Sequence, residues 1–352
     1  MGRYSNYPVS VANFVCLFDS KELLESFDDR FWPILKTNNE IPWKRGEDIS
    51  YILYRFKVIC HEGDYYLTGK IVRNMNLESV QKYDSPSEKI TTRIRKLSDG
   101  PSSFFLLRLF DHRLIVLKEM TRSPDLKKVE LVFHRALKLH RAKLKMTEEK
   151  KFKNKHKKKK LSKDLRLQFE TEFHARYPEA HFRITPIASF DLAQKALAKA
   201  DVFKKLSVTL HHTNQEDPKF KHKLLQQLKT ARSTIGGGKT ASAKAVITDG
   251  DVGLNKSEIK SIASDVAKSQ GNASLTVIGQ GQDGEKIEIK DNQMSIKDYI
   301  PAGQALTEEL KVVSSVKKLE THAEKGASFT EADVKKYKTL AKNIYGKYAK
   351  TR

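Results

Sequence analysis

The stretch Ile49–Arg73, ISYILYRFKVICHEGDYYLTGKIVR, predicts a β-hairpin. Two runs rich in β-branched and aromatic residues, Ile49–Cys60 and Tyr65–Arg73, flank the sequence HEGD at positions 61–64. Glycine and acidic residues between two strand-length runs favour a tight reversal of the chain. The N-terminal part of the protein is therefore expected to be rich in β-strands.

More strands are expected on both sides of this hairpin. Val9–Phe18 is an apolar run of strand length, and Phe104–Leu109 with Arg113–Lys118 gives a second hairpin candidate. Between the first strand and the first hairpin, a short helix is expected at Lys21–Phe27, followed by a loop that contains Pro33.

A long helix is predicted after the second hairpin. Ser123-Pro124 supplies an N-cap and a proline at the first helical position. Apolar residues recur behind it at helical spacing, which predicts a helix of about 20 residues. The lysine-rich block beyond is expected to form the exposed end of this helix and a linker, with a domain boundary near residues 150–162.

The second half of the chain alternates predicted helices and strands. Helices are expected at Lys163–Arg176, Ser189–Ala200, Asp217–Ser233 and Asn255–Gln270, and strands at His181–Ile187, Leu206–His212, Ser242–Thr248, Leu275–Gly279 and Lys286–Asp291. The fold class is therefore α+β: a β-rich N-terminal domain (1–122), a helix and lysine-rich linker (123–162), an alternating α/β domain (163–301) and a C-terminal helical tail (302–352).

The tail carries a basic amphipathic helix. Ser328 and Glu331 match a capping box, and Val334, Tyr337, Ala341, Ile344 and Tyr348 form one apolar stripe. Docking of this stripe on its own domain or on a dimer mate is the expected arrangement. A membrane surface or a partner helix is the alternative.

Positive charge is concentrated in one segment. Arg135–Lys163 holds 14 Lys and Arg against two acids, a net +12 of the formal +23 of the 352-residue chain. Each lysine that neutralises a phosphate releases a condensed counterion, so this density favours salt-dependent binding to nucleic acid. Because lysine is a flexible point charge, phosphate contacts with little sequence readout are expected. The predicted contacts are Arg141, Lys143, Lys145, Lys151, Lys153, Lys155, Lys157, Lys158, Lys159 and Lys160.

No motif in the sequence indicates a reaction, a metal or a cofactor. The run 235–240, IGGGKT, has Ser233 where a phosphate-binding loop needs glycine, and the calcium-loop-like stretch from Asp249 has Lys260 where glutamate is needed. The pair His211-His212 ends a predicted strand without acidic or cysteine ligands at suitable spacing. Cys16 and Cys60 lie in apolar runs and are expected to be buried, reduced thiols. A non-enzymatic protein is therefore predicted.

The chain is expected to be a soluble cytoplasmic protein. It shows no secretory leader, and no apolar run approaches the ~20 residues that a membrane span requires.

The order of segments resembles that of the Rex exclusion protein A family of lambdoid phages. The resemblance is carried by YILYRFKVICHEGDYYLTGKIVR, PSSFFLLRLFDHRLIVLKEM, FRITPIASFDLAQKALAKADVFKKLSVTL and DPKFKHKLLQQL. A group of bacterial phage-defence proteins is similar over about residues 164–301. The resemblance implies a dimeric DNA-binding protein of phage exclusion that works with a separate membrane effector, and it carries over no site residues. The lysines at 157–160 depart from the family pattern.

The resulting hypothesis is a dimeric protein that binds nucleic acid, most strongly double-stranded DNA, without sequence specificity in an anti-phage defence or exclusion system. Two alternatives stay open. One is a metal-dependent nuclease whose carboxylates converge only in the fold. The other is an adaptor whose basic linker and Val334–Tyr348 helix dock an acidic partner or a membrane surface.

Overall fold

The structure, a computed structural model, describes residues 6–19, 21–36, 40–43, 49–75, 80–84, 89–93, 100–156, 162–211, 219–235, 241–250, 252–301, 307–323 and 331–349. The strands are β1 (Asn6–Phe18), β2 (Lys21–Glu22), β3 (Glu40–Pro42), β4 (Ile49–His61), β5 (Asp64–Met75), β6 (Val80–Asp84), β7 (Lys89–Arg93), β8 (Ser102–Arg108), β9 (Arg113–Lys118), β10 (Ala180–Pro186), β11 (Val202–Leu210), β12 (Ala243–Thr248), β13 (Ala273–Gln280), β14 (Lys286–Ile289) and β15 (Lys297–Pro301). The helices are α1 (Trp32–Lys36), α2 (Leu126–Lys155), α3 (Lys163–Arg176), α4 (Phe190–Leu197), α5 (Lys223–Ile235), α6 (Lys256–Lys268), α7 (Asp291–Met294), α8 (Glu308–Ala323) and α9 (Glu331–Tyr348). The architecture is α+β, as predicted.

The predicted hairpin at residues 49–73 is confirmed as β4 and β5. His61 pairs with Asp64, which leaves a two-residue turn at Glu62 and Gly63. Both turn residues have positive φ, 50° and 84°, the backbone that a type I′ turn requires. The second predicted hairpin is also confirmed, as β8 and β9.

Strand β1 pairs with four other strands of the large sheet. This nine-stranded sheet has the order β10-β1-β9-β8-β5-β4-β3, with β15 and β2 also paired to β1. All pairings are antiparallel, and every residue of Val11–Phe18 is buried. Because β10 and β15 come from residues 163–301, the sheet joins two of the predicted domains. The four predicted domain ranges remain a prediction.

Helices cover both faces of this sheet. On one face, Phe133 of α2 stacks on Phe31 at a centroid distance of 5.8 Å, and both rings contact Phe14 of β1. On the other face, Val316 and Leu319 of α8 pack with apolar residues of β8 and β9. Burial on both faces explains why the β1 sequence is apolar without alternation.

A second, four-stranded antiparallel sheet has the order β12-β11-β13-β14. Its buried face alternates along the strands and packs against α4, α5 and α6 around Leu206, Val208 and Leu225. The Asn13 side-chain amide donates to Asn272 at 3.2 Å, so β1 contacts the turn that precedes β13.

Helix α9 docks on the large sheet, as the apolar stripe predicts. Tyr337, Ala341 and Ile344 are buried in the main core. The Tyr337 hydroxyl donates to the buried carboxylate of Glu22, and Lys347 pairs with Asp28. Ser328 of the predicted capping box lies outside the described residues.

Three local expectations were wrong. In place of a helix at Lys21–Phe27, the chain forms β2, a 3₁₀ turn and a π-helical segment that continues into α1. Pro33, expected in a loop, lies in α1, directly after the π-helical segment. Cys60, expected to be a buried thiol, is exposed on β4, whereas Cys16 is buried as expected. Within the predicted helical tail, residues 308–323 form α8.

Helix α2 also begins and ends differently from the prediction. Its N-cap is Asp125, whose carboxylate accepts from the Lys128 amide at 2.9 Å, while the Ser123 hydroxyl accepts from the Met120 amide. The helix runs for 30 residues, so most of the basic segment is helical rather than linker. None of the helices in the described part of the chain is both long and apolar enough to cross a membrane.

Candidate nucleic-acid interface

The basic segment is displayed on a helical hairpin that leaves the body of the protein. Helix α2 is about 45 Å long at the usual rise per residue. Its buried residues lie between Val129 and Leu137, so the remaining turns extend beyond the main core. Helix α3 returns beside it and begins at the N-cap Ser162, whose hydroxyl accepts from the Leu165 amide at 3.4 Å.

The two helices are held together by aromatic rings and by Arg141. The ring centroids of Phe152 and Phe169 are 5.4 Å apart. The guanidinium of Arg141 donates to the Tyr177 carbonyl at 2.9 Å, lies 3.3 Å from Glu179 and covers the Phe173 ring. These contacts fix the end of α3 against the middle of α2 and give the hairpin a defined shape.

The structure places six of the ten predicted contact residues on α2. Lys157, Lys158, Lys159 and Lys160 lie outside the described residues. Four of the six form ion pairs: Lys151 with Glu148 and Lys153 with Glu149 inside the segment, and Lys145 with Glu170 and Arg141 with Glu179 outside it. Lys143 and Lys155 are exposed, and neither forms an ion pair with another described residue.

These ion pairs do not prevent the lysines from binding a phosphate. A hydrogen bond from Lys151 lowers the pKa of Glu148, and one from Lys153 lowers the pKa of Glu149, so both carboxylates are charged at neutral pH. Exposed pairs of this kind contribute only about 0–1 kcal/mol. A phosphate can therefore replace the carboxylate at small cost.

The outer face of α2 carries a second group of side chains. Leu139, Lys143, Met146 and Lys150 follow helical three- and four-residue steps and share the face opposite Arg141 and Phe152. Both lysines are exposed, and so is Met146, with 64% of its surface accessible. Lys150 was missed by the sequence prediction, although its spacing from Lys143 already placed it on this face.

Helix α3 adds positive side chains that the sequence prediction did not include. Lys163 and Arg166 are exposed near its first turns, and Arg176 near its end. Its acidic residues equal its basic ones in number, so the excess positive charge of the described hairpin belongs to α2. His140, half-buried on α2, has its pKa lowered by burial and then by Lys143, so it adds no charge at neutral pH.

The other motifs do not form a site among the described residues. Residues 236–240 of the glycine-rich run, Asp251 of the calcium-like stretch and His212 lie outside the described ranges. His211 is buried, and its carbonyl accepts from Arg232. Within the described ranges, no group of three or more His, Cys, Asp or Glu side chains is arranged to hold a metal ion. Comparison of the sequence with family models and with curated proteins finds no match.

Proposed function

We propose that the protein binds nucleic acid, most strongly double-stranded DNA, through the α2–α3 hairpin and without sequence readout. The observation that carries this proposal is a 30-residue helix that leaves the core at Leu137 and presents exposed lysines on its outer face. A rod of this kind can follow a groove or a phosphate backbone without contact from the rest of the fold.

The chemistry of the cations favours the backbone over the bases. Lys143, Lys150 and Lys155 are flexible and exposed, which suits phosphate contacts. The arginine best placed on α2, Arg141, uses its donors on Tyr177 and Glu179. Bidentate recognition of guanine needs a free guanidinium fork, so base-specific contact is not expected from this residue.

We also propose a role in phage exclusion, with a separate membrane effector as partner. Support comes from the resemblance of the segment order to that of the Rex exclusion protein A family. The nuclease alternative has no metal-binding cluster among the described residues to support it.

The proposed homodimer has a suitable surface at β12. This strand, AKAVIT, is an edge of the second sheet, and no described strand pairs with its outer side. Val246 and Ile247 are 49% and 39% exposed, and Lys244 is the single charge. Antiparallel pairing of two copies would satisfy the edge amides and carbonyls and cover these side chains. Light scattering of the wild type and of Val246→Lys tests this: a dimer that becomes a monomer is expected, and a wild-type monomer contradicts it.

A gel-shift experiment tests the proposed function. The protein is mixed with duplex DNA, single-stranded DNA and RNA across a salt series, with one magnesium-containing lane. Tight binding of intact duplex that weakens steeply with salt is the expected result. Absence of binding at low salt would refute the proposal and favour an acidic protein or a membrane surface, whereas cleavage in the magnesium lane would favour a nuclease.

A further inference from the structure

A groove between α2 and α3 has an aromatic floor. The rings of Phe152, Phe169, Phe173 and Tyr177 follow one another with centroid distances of 5.4, 5.8 and 5.2 Å. Phe169 and Phe173 are buried, whereas Phe152 and Tyr177 are half-buried beside the opening, and the His156 ring lies 4.4 Å from the Phe152 ring. The groove holds about 270 Å³. That volume suits one small flat group better than a drug-sized ligand, whose sites begin near ~300 Å³.

Charged side chains form the rim of the groove around its aromatic floor. Lys151, Lys155 and Arg176 line it together with Glu148 and Glu172. Glu148 lies 2.7 Å from Lys151 and 3.6 Å from Arg176, so two of the cations are partly neutralised. Lys155 is exposed and forms no ion pair with any described residue. The carboxylates oppose entry of a phosphate, while the cations attract one to the rim.

We propose that this groove binds an unpaired nucleotide, with its base against Phe152 and its phosphate beside Lys155. The inference rests on the proposed nucleic-acid binding and adds a second ligand form, an unpaired strand, to the same hairpin. A base within a duplex is already stacked on its neighbours and cannot reach a groove between two helices. The groove therefore contributes binding energy for single-stranded nucleic acid alone, where stacking on an aromatic ring needs no particular sequence.

Fluorescence anisotropy with labelled oligothymidine and with a duplex of equal length tests the inference. Phe152→Ala is expected to weaken oligothymidine binding about 5- to 150-fold, the effect of losing one stacked base, and to weaken duplex binding much less, because Phe152 also contacts Phe169 of α3. Phe152→Tyr keeps the ring and should keep the affinity. Phe190→Ala, which removes an exposed phenylalanine of α4 outside the hairpin, is the matched control and should change neither ligand. An oligouridine series shows whether the groove takes DNA, RNA or both.

The outcomes separate the groove from the proposed function. If the wild type binds duplex but Phe152→Ala leaves the affinity for oligothymidine unchanged, the proposed nucleotide groove is refuted. The proposed phosphate contacts would still stand. If Phe152→Ala weakened the binding of both ligands equally and Phe152→Tyr did the same, the proposed groove would also be refuted. Failure of the wild type to bind either ligand would instead refute the proposed function. If the alanine variant unfolds, Phe152→Leu keeps apolar packing without an aromatic face, and the same selective loss is expected.

Discussion

Replacing His112 by asparagine should make the protein more resistant to acid relative to the wild type. His112 sits at the β8–β9 turn with φ of 57°, a backbone that asparagine adopts readily. Its imidazole is fully buried beside the Tyr337 ring, and neither ring nitrogen has a hydrogen-bond partner among the described residues. A protonated His112 would therefore be a positive charge buried away from solvent.

The size and sign of the effect follow from the pKa of His112. Burial, opposed by Asp111 and reinforced by Arg113, lowers this pKa from 6.5 to about 4. The unfolded chain therefore binds a proton below pH 6.5 that the folded protein does not bind until pH 4. Stability from this residue is complete above pH 6.5 and is lost as pH falls. Linkage gives a loss of roughly 2 kcal/mol at pH 5 and about 3 kcal/mol at pH 4.

Urea unfolding at pH 7.5, 6 and 5 measures the difference between wild type and His112→Asn. The variant is expected to lose some stability at every pH because a smaller side chain leaves a cavity. The gap between the two proteins should shrink by roughly 2 kcal/mol from pH 7.5 to pH 5. His134→Asn, at an exposed position of α2, controls for loss of an imidazole. A gap that stays constant with pH would refute the reasoning.

Two further changes test the packing of the fold. Tyr337→Phe removes the hydroxyl that donates to the fully buried Glu22 carboxylate, and it should lower the free energy of unfolding by ~1–3 kcal/mol; a smaller change would mean that other donors satisfy Glu22. Gly271→Ala and Gly63→Ala both place a side chain at positive φ, but a Cβ at Gly271 would lie 2.9 Å from the Cβ of Asn13, whereas Gly63 has open space around it. Gly63→Ala should lower the free energy of unfolding by about 1–2 kcal/mol, and Gly271→Ala should lower it by clearly more. Equal losses in thermal unfolding would contradict the close packing of Gly271 against Asn13.

Local chemistry allowed much of the secondary structure to be predicted. The β4–β5 hairpin follows from Glu62-Gly63, which tolerate a left-handed turn between two apolar runs. Helix α3, Lys163–Arg176, was predicted near these bounds because Tyr177-Pro178 disfavours its continuation, and the structure shows that Ser162 caps its start. These signals act within a few residues of each element, so no tertiary information is needed.

Strand partners and helix lengths required tertiary information. Nothing in Val9–Phe18 indicates that β1 pairs with β10 and β15, which lie far away in sequence. The basic end of α2 remains helical because lysine and glutamate have good helix propensity and because Glu148–Lys151 and Glu149–Lys153 form ion pairs at helical spacing. The basic block was expected to form the helix end and a linker, and the predicted length of about 20 residues was too short, since α2 continues to Lys155.

The location of the candidate site stays a prediction from charge density, and the structure adds the arrangement of its side chains. Charge density identified the segment, and six of the predicted residues lie on α2 as a result. Sequence could not distinguish Arg141, which joins the two helices, from Lys143, which faces outward, because that depends on where α3 packs. The groove at Phe152 likewise needs α3, whose aromatic residues complete it.

The salt dependence of duplex DNA binding tests the central claim most directly. A variant with Lys143, Lys150 and Lys155 changed to glutamine is compared with one in which Lys195, Lys199 and Lys260, exposed lysines of α4, the turn after α4 and α6, are changed in the same way. The two variants have the same net charge. The hairpin variant should bind more weakly, and the slope of log affinity against log salt should flatten by about 0.9 for each lost phosphate contact. A slope equal to that of the wild type, or equal flattening in both variants, would contradict binding through the hairpin.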